Sequence, residues 1–233
     1  MKNKLITLLT ILAMVFALAA CGSPTEPLEE SAEEPAEVAT EEAAEGTSGT
    51  TEFAEGILID ETAGTVSVKA HVNGMFFDQS TMHCVVFKDG GAGDMAMMAA
   101  DADSQDFYKA MMKIGGEPWN TEDKKLEDGE FTDGQKVDVT ITWEGKDSPV
   151  KLSDALKTDD GRPEVDMRFS GNQANNAEAG SGCVACMNSC WAGICSNAAY
   201  AFGAIDAGNP RVYLDDSVMP ADGTEVQVIF ALQ

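Results

Sequence analysis

The sequence predicts an α+β fold, in which a mostly antiparallel β-sheet carries one or two helices. Apolar and polar residues alternate strictly over residues 65–72 and 137–143, and this period of two is typical of half-buried strands. One helical pattern stands out, over residues 104–114. Because strands and helices do not alternate regularly along the chain, a doubly wound parallel sheet is not expected.

The first element is a predicted lipoprotein signal peptide at residues 1–20. Lys2 and Lys4 precede an apolar run at residues 5–17, which is too short to cross a hydrocarbon core of ~30 Å comfortably. Small residues then lead into Cys21, and this ending resembles the lipobox read by lipoprotein signal peptidase. We expect diacylglycerol on Cys21 and a protein anchored to the extracytoplasmic side of the cell membrane, with an ordinary secretory signal as the alternative.

The second element, residues 21–52, is a predicted acidic disordered tether. No Lys or Arg occurs between Gly22 and Glu55, whereas Glu recurs throughout among Ala, Thr, Ser, Gly and Pro. Such a segment has too little apolar surface to offset the entropy lost on ordering, and its like charges repel one another. We expect it to connect the lipid to a folded domain.

Net charge restricts the partners of this protein. The formal charge is −25 over 233 residues, and the loss of Lys2 and Lys4 with the signal peptide makes it −27. Nucleic acid and anionic lipid surfaces repel a protein of this kind. We therefore expect no nucleic-acid partner, and contact with the membrane only through the lipid anchor.

Residues 53–233 are predicted to form one domain, long enough to bury a substantial core. In the predicted helix, Ser104 is a candidate N-cap and Gly115-Gly116 ends the element. Its apolar stripe consists of Phe107, Tyr108, Met111 and Met112. Further strands are predicted at residues 84–87, 165–169, 212–214 and 226–232.

Four cysteines fall close together near the end of the domain: Cys183, Cys186, Cys190 and Cys195. If this segment is helical, the first three lie on one face at i, i+3 and i+7, and Cys195 joins them only if the chain breaks. Gly193 is a candidate for that break. Three thiolates on one face and a fourth from a turn could enclose an iron–sulfur cluster or a zinc ion.

Two other interpretations of the cysteines stay open. Beyond the membrane the environment is often oxidising, so the four cysteines could form two disulfides. Such short loops restrict the unfolded chain little, however, and would stabilise the fold weakly. A dithiol redox site at Cys183 and Cys186 is the other alternative, although the βαβ context of thioredoxin-like proteins is missing.

Methionine and histidine give weaker signals. Copper(I) could bind the methionines at positions 95, 97, 98, 111 and 112, but packing in the core is the favoured explanation. His83 could supply a ligand beside Cys84, yet neighbours on a strand face opposite sides, so at most one would reach a site. We favour His83 as an ordinary residue and Cys84 as a buried structural thiol. No catalytic motif is recognisable, so an enzyme is not supported.

Five segments of the chain carry a resemblance to a known family: residues 83–90, 107–116, 138–145, 182–198 and 220–224. Through these segments, most of the chain after Ile57 resembles the YdjY-type domains, a family with a ferredoxin-like label. Residues 53–233 are accordingly expected to be a single YdjY-like domain with its cysteine cluster at 183–195.

The family label implies a [4Fe–4S] cluster on Cys183, Cys186, Cys190 and Cys195. On this basis we expect a membrane-tethered extracytoplasmic protein that transfers electrons to or from an unknown redox partner protein. The alternative is a binding or structural lipoprotein whose cysteines form disulfides or bind zinc.

Overall fold

The computed structural model describes residues 49–233, which fold into thirteen β-strands and three α-helices. The helices are α1 (Ser104–Lys113), α2 (Leu152–Ala155) and α3 (Gln173–Ala179), and 3₁₀ turns cover Gly74–Phe77 and Gly93–Met95. The strands are β1 (Thr51–Ala54), β2 (Ile57–Asp60), β3 (Thr65–Val72), β4 (His83–Phe87), β5 (Met98–Ala100), β6 (Gln135–Thr142), β7 (Val150–Lys151), β8 (Leu156–Thr158), β9 (Met167–Phe169), β10 (Cys183–Cys186), β11 (Cys195–Asn197), β12 (Val212–Leu214) and β13 (Glu225–Leu232).

The main sheet closes on itself. Its strands run in the order β3-β13-β6-β9-β11-β10-β4-β5, and β5 returns to pair with β3. Two strands pair with the same edge of β3: β2 pairs with residues 65–68, and β5 pairs with residues 70–72. The result is an eight-stranded barrel to which β1, β2 and β7 are added, while β8 and β12 form a separate ribbon.

The core of the barrel follows from the alternation in its long strands. In β3, every second residue from Val66 to Val72 is buried, and the residues between them are partly exposed. Val228 of the neighbouring β13 lies opposite Val68 and is also buried. Helix α1 packs on this core, because the ring of Phe107 meets the ring of Phe230 at a centroid distance of 4.8 Å.

The elements predicted from periodicity are present, with one change at the start of α1. The two long alternating segments are β3 and β6, and the helical pattern at residues 104–114 is α1. The N-cap is Asp103, whose side chain accepts hydrogen bonds from the backbone N–H groups of Gln105 and Asp106. Ser104, the predicted cap, instead donates its hydroxyl to Asn176 at 2.7 Å.

The predicted fold class is wrong. An α+β fold with a mostly antiparallel sheet and one or two helices was expected, whereas the described residues form a mostly-β closed barrel with three short helices and a mixed sheet. The β4–β5 and β10–β11 pairs are parallel. Parallel neighbours usually need a crossover of about a dozen or more residues. The connection from β10 to β11, residues 187–194, is shorter, so the spacing of the strands did not indicate this pairing.

Several predictions concern residues outside the described range: the signal peptide at 1–20, lipidation of Cys21, and the tether as far as residue 48. The predicted end of the tether at residue 52 overlaps β1, in which Thr51 and Glu52 pair with Ile59 and Leu58. Within residues 49–233, no helix combines the length and apolar character needed to cross a bilayer.

A protein that begins at Gly49 should have the same thermal midpoint as one that begins at position 21 with Cys21→Ser. Residues 22–48 have no apolar periodicity, so they should add no buried surface to the fold. Scanning calorimetry of both unlipidated proteins measures the difference. A protein that begins at Ile57 lacks β1 and is the control, for which we expect a lower midpoint. A drop of more than about 3 °C on removal of residues 21–48 alone would contradict the prediction.

Candidate metal centre

The first half of the cysteine segment is a strand rather than the helix considered from its spacing. Residues Cys183–Cys186 form β10, which runs antiparallel to β4 and places Cys186 opposite His83. Residues three apart in a regular strand point to opposite faces. The pairing of β10 with β4 shifts register twice between Cys183 and Cys186, and such irregularities re-aim side chains. Both thiols consequently lie beside His83.

These three side chains form a compact donor group. One ligand atom from each of His83, Cys183 and Cys186 lies within 4.8 Å of the other two. The Sγ atom of Cys183 is 3.4 Å from Nδ1 of His83. The two cysteines are 1% and 0% exposed, whereas His83 is partly exposed. Within this group, the imidazole is therefore the side chain that meets the surface.

Cys190 interacts with the thiol of Cys186 but is not one of the three side chains whose donor atoms lie within 4.8 Å of one another. Hydrogen bonds with Cys183 and Cys190, together with burial, raise the pKa of Cys186 well above its ordinary value. The pKa of Cys183 is lowered instead. The interaction with Cys186 has the largest effect and His83 adds to it, whereas burial acts in the opposite direction. Of the two thiols, Cys183 therefore releases its proton more readily than Cys186.

Cys195 and Cys84 lie apart from the donor group. Cys195 is in β11 opposite Phe169, and burial raises the pKa of its thiol. Cys84 follows His83 in β4, and adjacent strand residues face opposite sides, so Cys84 points away from the group. Burial raises the pKa of the Cys84 thiol to about 12. All five cysteines within residues 49–233 are free thiols.

Two buried asparagine side chains hold the backbone around the cysteines. The Nδ2 atoms of Asn172 and Asn176 each donate two hydrogen bonds to backbone carbonyls, at 2.7–2.9 Å. A buried carbonyl without a donor is costly, so these amides stabilise a loop that has little regular structure. The acceptors are the carbonyl oxygens of Cys190 and Gly193 for Asn172, and of Cys183 and Ala192 for Asn176.

The asparagines are themselves oriented by further hydrogen bonds. Oδ1 of Asn176 accepts from the hydroxyl of Ser104 at 2.7 Å and from Nε2 of Gln105 at 2.9 Å. Oδ1 of Asn172 accepts from Nδ2 of Asn120 at 2.6 Å. The buried amide of Asn176 therefore connects helix α1 to the cysteine loop, residues 187–194 between β10 and β11. The fold thereby fixes the position of this loop.

The loop also approaches the donor group closely. A Cβ atom on Gly193 would lie 3.0 Å from Sγ of Cys186 and 2.7 Å from Oγ of Ser196, so a larger residue does not fit without a shift. Asn188 is fully buried in the same loop, and neither Oδ1 nor Nδ2 of its amide has a hydrogen-bond partner among the described residues. Unpartnered buried amides are rare and call for an explanation. A loop that closes over a bound group would explain both features.

The spacing of the donor atoms distinguishes between metal groups. Around one tetrahedral zinc ion, with Zn–S of ~2.3 Å and Zn–N of ~2.0 Å, sulfur and nitrogen ligands lie ~3.6 Å apart and two sulfurs ~3.8 Å apart. In a four-iron cluster each thiolate binds a different iron, which separates the thiolate sulfurs by ~6 Å. The donor atoms of this group lie within 4.8 Å of one another. This spacing matches the ligands of a single ion more closely than the thiolates of a four-iron cluster. A cluster on the four cysteines stays a prediction.

The structure gathers a different set of residues from the predicted one. Of the four predicted ligands, Cys183 and Cys186 are brought together in one group, Cys190 interacts with Cys186, and Cys195 is in β11 outside the group. His83 completes the group, although it was favoured as an ordinary residue. The signal for it was its position beside Cys84: since Cys84 belongs to the core, the adjacent strand residue His83 faces the other side.

A mostly-β barrel with a buried cysteine–histidine group on two paired strands is the class of protein that these observations define. Residues 57–231 match the family model of the YdjY domain, and the chain belongs to this family. It is similar to the uncharacterized protein YdjY of Escherichia coli (strain K12), with 32% identity over 175 residues that span 75% of this chain and 77% of the relative. No solved structure matches the chain.

Proposed function

We propose that this protein is a membrane-tethered, extracytoplasmic metal-binding protein that holds one thiophilic metal ion. The ligands are His83, Cys183 and Cys186, with Cys190 as the fourth. The observation that carries the proposal is the separation of at most 4.8 Å among the donor atoms of the first three. The lipid anchor at Cys21 and the acidic tether, both inferred from the sequence, support the proposed location.

Each ligand has a distinct part in binding. Cys183 already favours the thiolate form, which is the form that binds metals. Cys186 must release its proton, because its pKa in the metal-free group is raised. His83 offers Nδ1 as a neutral ligand. Zinc bound in this way would carry no redox chemistry of its own and would neutralise the buried thiolates.

The asparagines and Gly193 prepare the group before an ion arrives. Asn172 and Asn176 fix the carbonyls of the loop, so the backbone beside the thiols needs no rearrangement on binding. Gly193 leaves the Sγ atom of Cys186 uncovered by a side chain. Asn188, whose amide has no partner among the described residues, is available for a hydrogen bond to a metal-bound thiolate.

Elemental analysis of protein purified without oxygen tests the proposal. We expect one zinc or other thiophilic ion per chain, and no acid-labile sulfide. Substitution with Co²⁺ should give thiolate-to-metal charge-transfer bands and the visible bands of a tetrahedral site. Two results would contradict it: iron with equal acid-labile sulfide, as the family resemblance implies, or a protein that stays metal-free after reduction and anaerobic reconstitution.

A further inference from the structure

A surface cleft of about 360 Å³ lies against the donor group, and His83 belongs to both. Cys183 and Cys186 are closed off from solvent, so an ion has to reach them past another residue. His83 presents Nδ1 to Cys183 at 3.4 Å, and no atom of residues 49–233 hydrogen-bonds its Nε2. Besides His83, the lining of the cleft includes Thr81, Met82, Met95, Asp206 and Arg211.

Two of the residues that line the cleft are methionines, Met82 and Met95. Met82 is nearly buried, whereas Met95 is 47% exposed. The hydroxyl of Thr81 donates to the carbonyl of Met95 at 3.0 Å and accepts from the N–H of His83 at 3.1 Å. One side chain therefore fixes the backbone of Met95 relative to that of His83.

The position of Met95 differs from that of the other methionines considered from the sequence as copper(I) ligands. Met97, Met98 and Met111 are fully buried and belong to the core, as packing would require. Met112 is exposed on α1 but does not line the cleft. Of this set, Met95 is the one that shares a cleft with a ligand of the metal centre.

We propose that the cleft is the entry path of a copper(I) ion, which Met95 binds first and His83, Cys183 and Cys186 then receive. This inference rests on the proposed metal-binding function and names its ion. Thioether sulfur is a ligand for soft copper(I), whereas zinc ligands are thiolates, imidazoles and carboxylates. The negative charge of the protein also draws cations to its surface. No electron transfer is involved, because the ion exchanges ligands and stays copper(I).

The rate of metal loading tests the path. Met95→Leu keeps the size of the side chain and removes its sulfur, and Met112→Leu is the matched control on an exposed methionine outside the cleft. Copper(I) is presented anaerobically in a complex with a chromophoric chelator, and its transfer is followed by stopped-flow absorbance. Zinc loading is measured in parallel with a zinc indicator.

We expect Met95→Leu to slow copper(I) transfer about 10-fold with unchanged stoichiometry and affinity at equilibrium, and Met112→Leu to have no effect. Zinc loading should be the same in all three proteins. Equal copper(I) rates for Met95→Leu and the unmodified protein would overturn the proposal, and so would an equal slowing of both metals, which indicates an effect of shape alone. If the unmodified protein binds zinc but not copper(I), this inference fails and the metal-binding function stands. If it binds neither, both fail.

Discussion

Replacement of Cys186 by serine should abolish stoichiometric metal binding. Cys186 lies at the centre of the proposed site, since its side chain interacts with both Cys183 and Cys190 and it pairs across the strands with His83. A serine hydroxyl remains protonated at neutral pH and is a poor ligand for a soft ion. We expect the affinity for Zn²⁺ to fall by more than about 100-fold in competition with a chelator of known affinity.

Two other buried cysteines provide matched controls for this result. Cys84→Ala and Cys195→Ala each remove a thiol that lies outside the donor group, so both variants should bind one ion per chain with unchanged affinity. Loss of metal from Cys195→Ala would indicate the four-cysteine ligand set expected from the spacing. Full binding by Cys186→Ser would eliminate the proposed centre.

Replacement of Asn176 by alanine should cause the largest loss of stability among single polar substitutions near the centre. The amide makes four hydrogen bonds: it donates to the carbonyls of Cys183 and Ala192 and accepts from Ser104 and Gln105. Alanine would leave the carbonyl of Ala192 and the hydroxyl of Ser104 without partners in a buried region, and the carbonyl of Cys183 would keep only the N–H of Ile194. Because each such group costs ~1–3 kcal/mol, we expect the free energy of unfolding to fall by about 3–5 kcal/mol in urea denaturation.

Asn188 is a control of the same residue type that lacks the hydrogen bonds of Asn176. It is as buried as Asn176, but its amide makes no hydrogen bond within residues 49–233. In the metal-free protein, Asn188→Ala removes an unsatisfied amide, so the free energy of unfolding should stay within about 1 kcal/mol of the original or rise. Equal destabilisation by the two substitutions would show that buried volume, rather than the hydrogen-bond network, determines the effect.

The long strands could be predicted from the sequence because burial in them follows a period of two. Strand β3 spans the predicted residues 65–72, with every second side chain buried. The closure of the barrel could not be predicted in this way. It depends on β5, a strand of three residues that pairs with both β3 and β4, and so short a segment has no recognisable period.

The cysteine cluster was recognised, but its secondary structure was not. The predicted grouping of Cys183, Cys186 and Cys190 relied on the i, i+3, i+7 spacing of a helix. In the structure, β10 is buried along its whole length and the register shifts bring its two cysteines together. A strand buried on both sides shows no alternation, and pattern alone does not distinguish it from a buried helical turn. Contacts between strands far apart in sequence, such as that of His83 with Cys186, are likewise set by tertiary structure.

The central place of the C-terminal strand has a consequence for the biogenesis of the protein. Strand β13 lies between β3 and β6, so the barrel cannot close until residues Glu225–Leu232 have been synthesised. Until then, β3 and β6 each present an unpaired edge to other chains. The contacts of β13 with β3 also span most of the domain, which makes folding slow relative to a local structure. A nascent chain should therefore remain unfolded until its last residues emerge, and a premature stop codon before Glu225 should produce a chain for proteolysis rather than a shortened barrel.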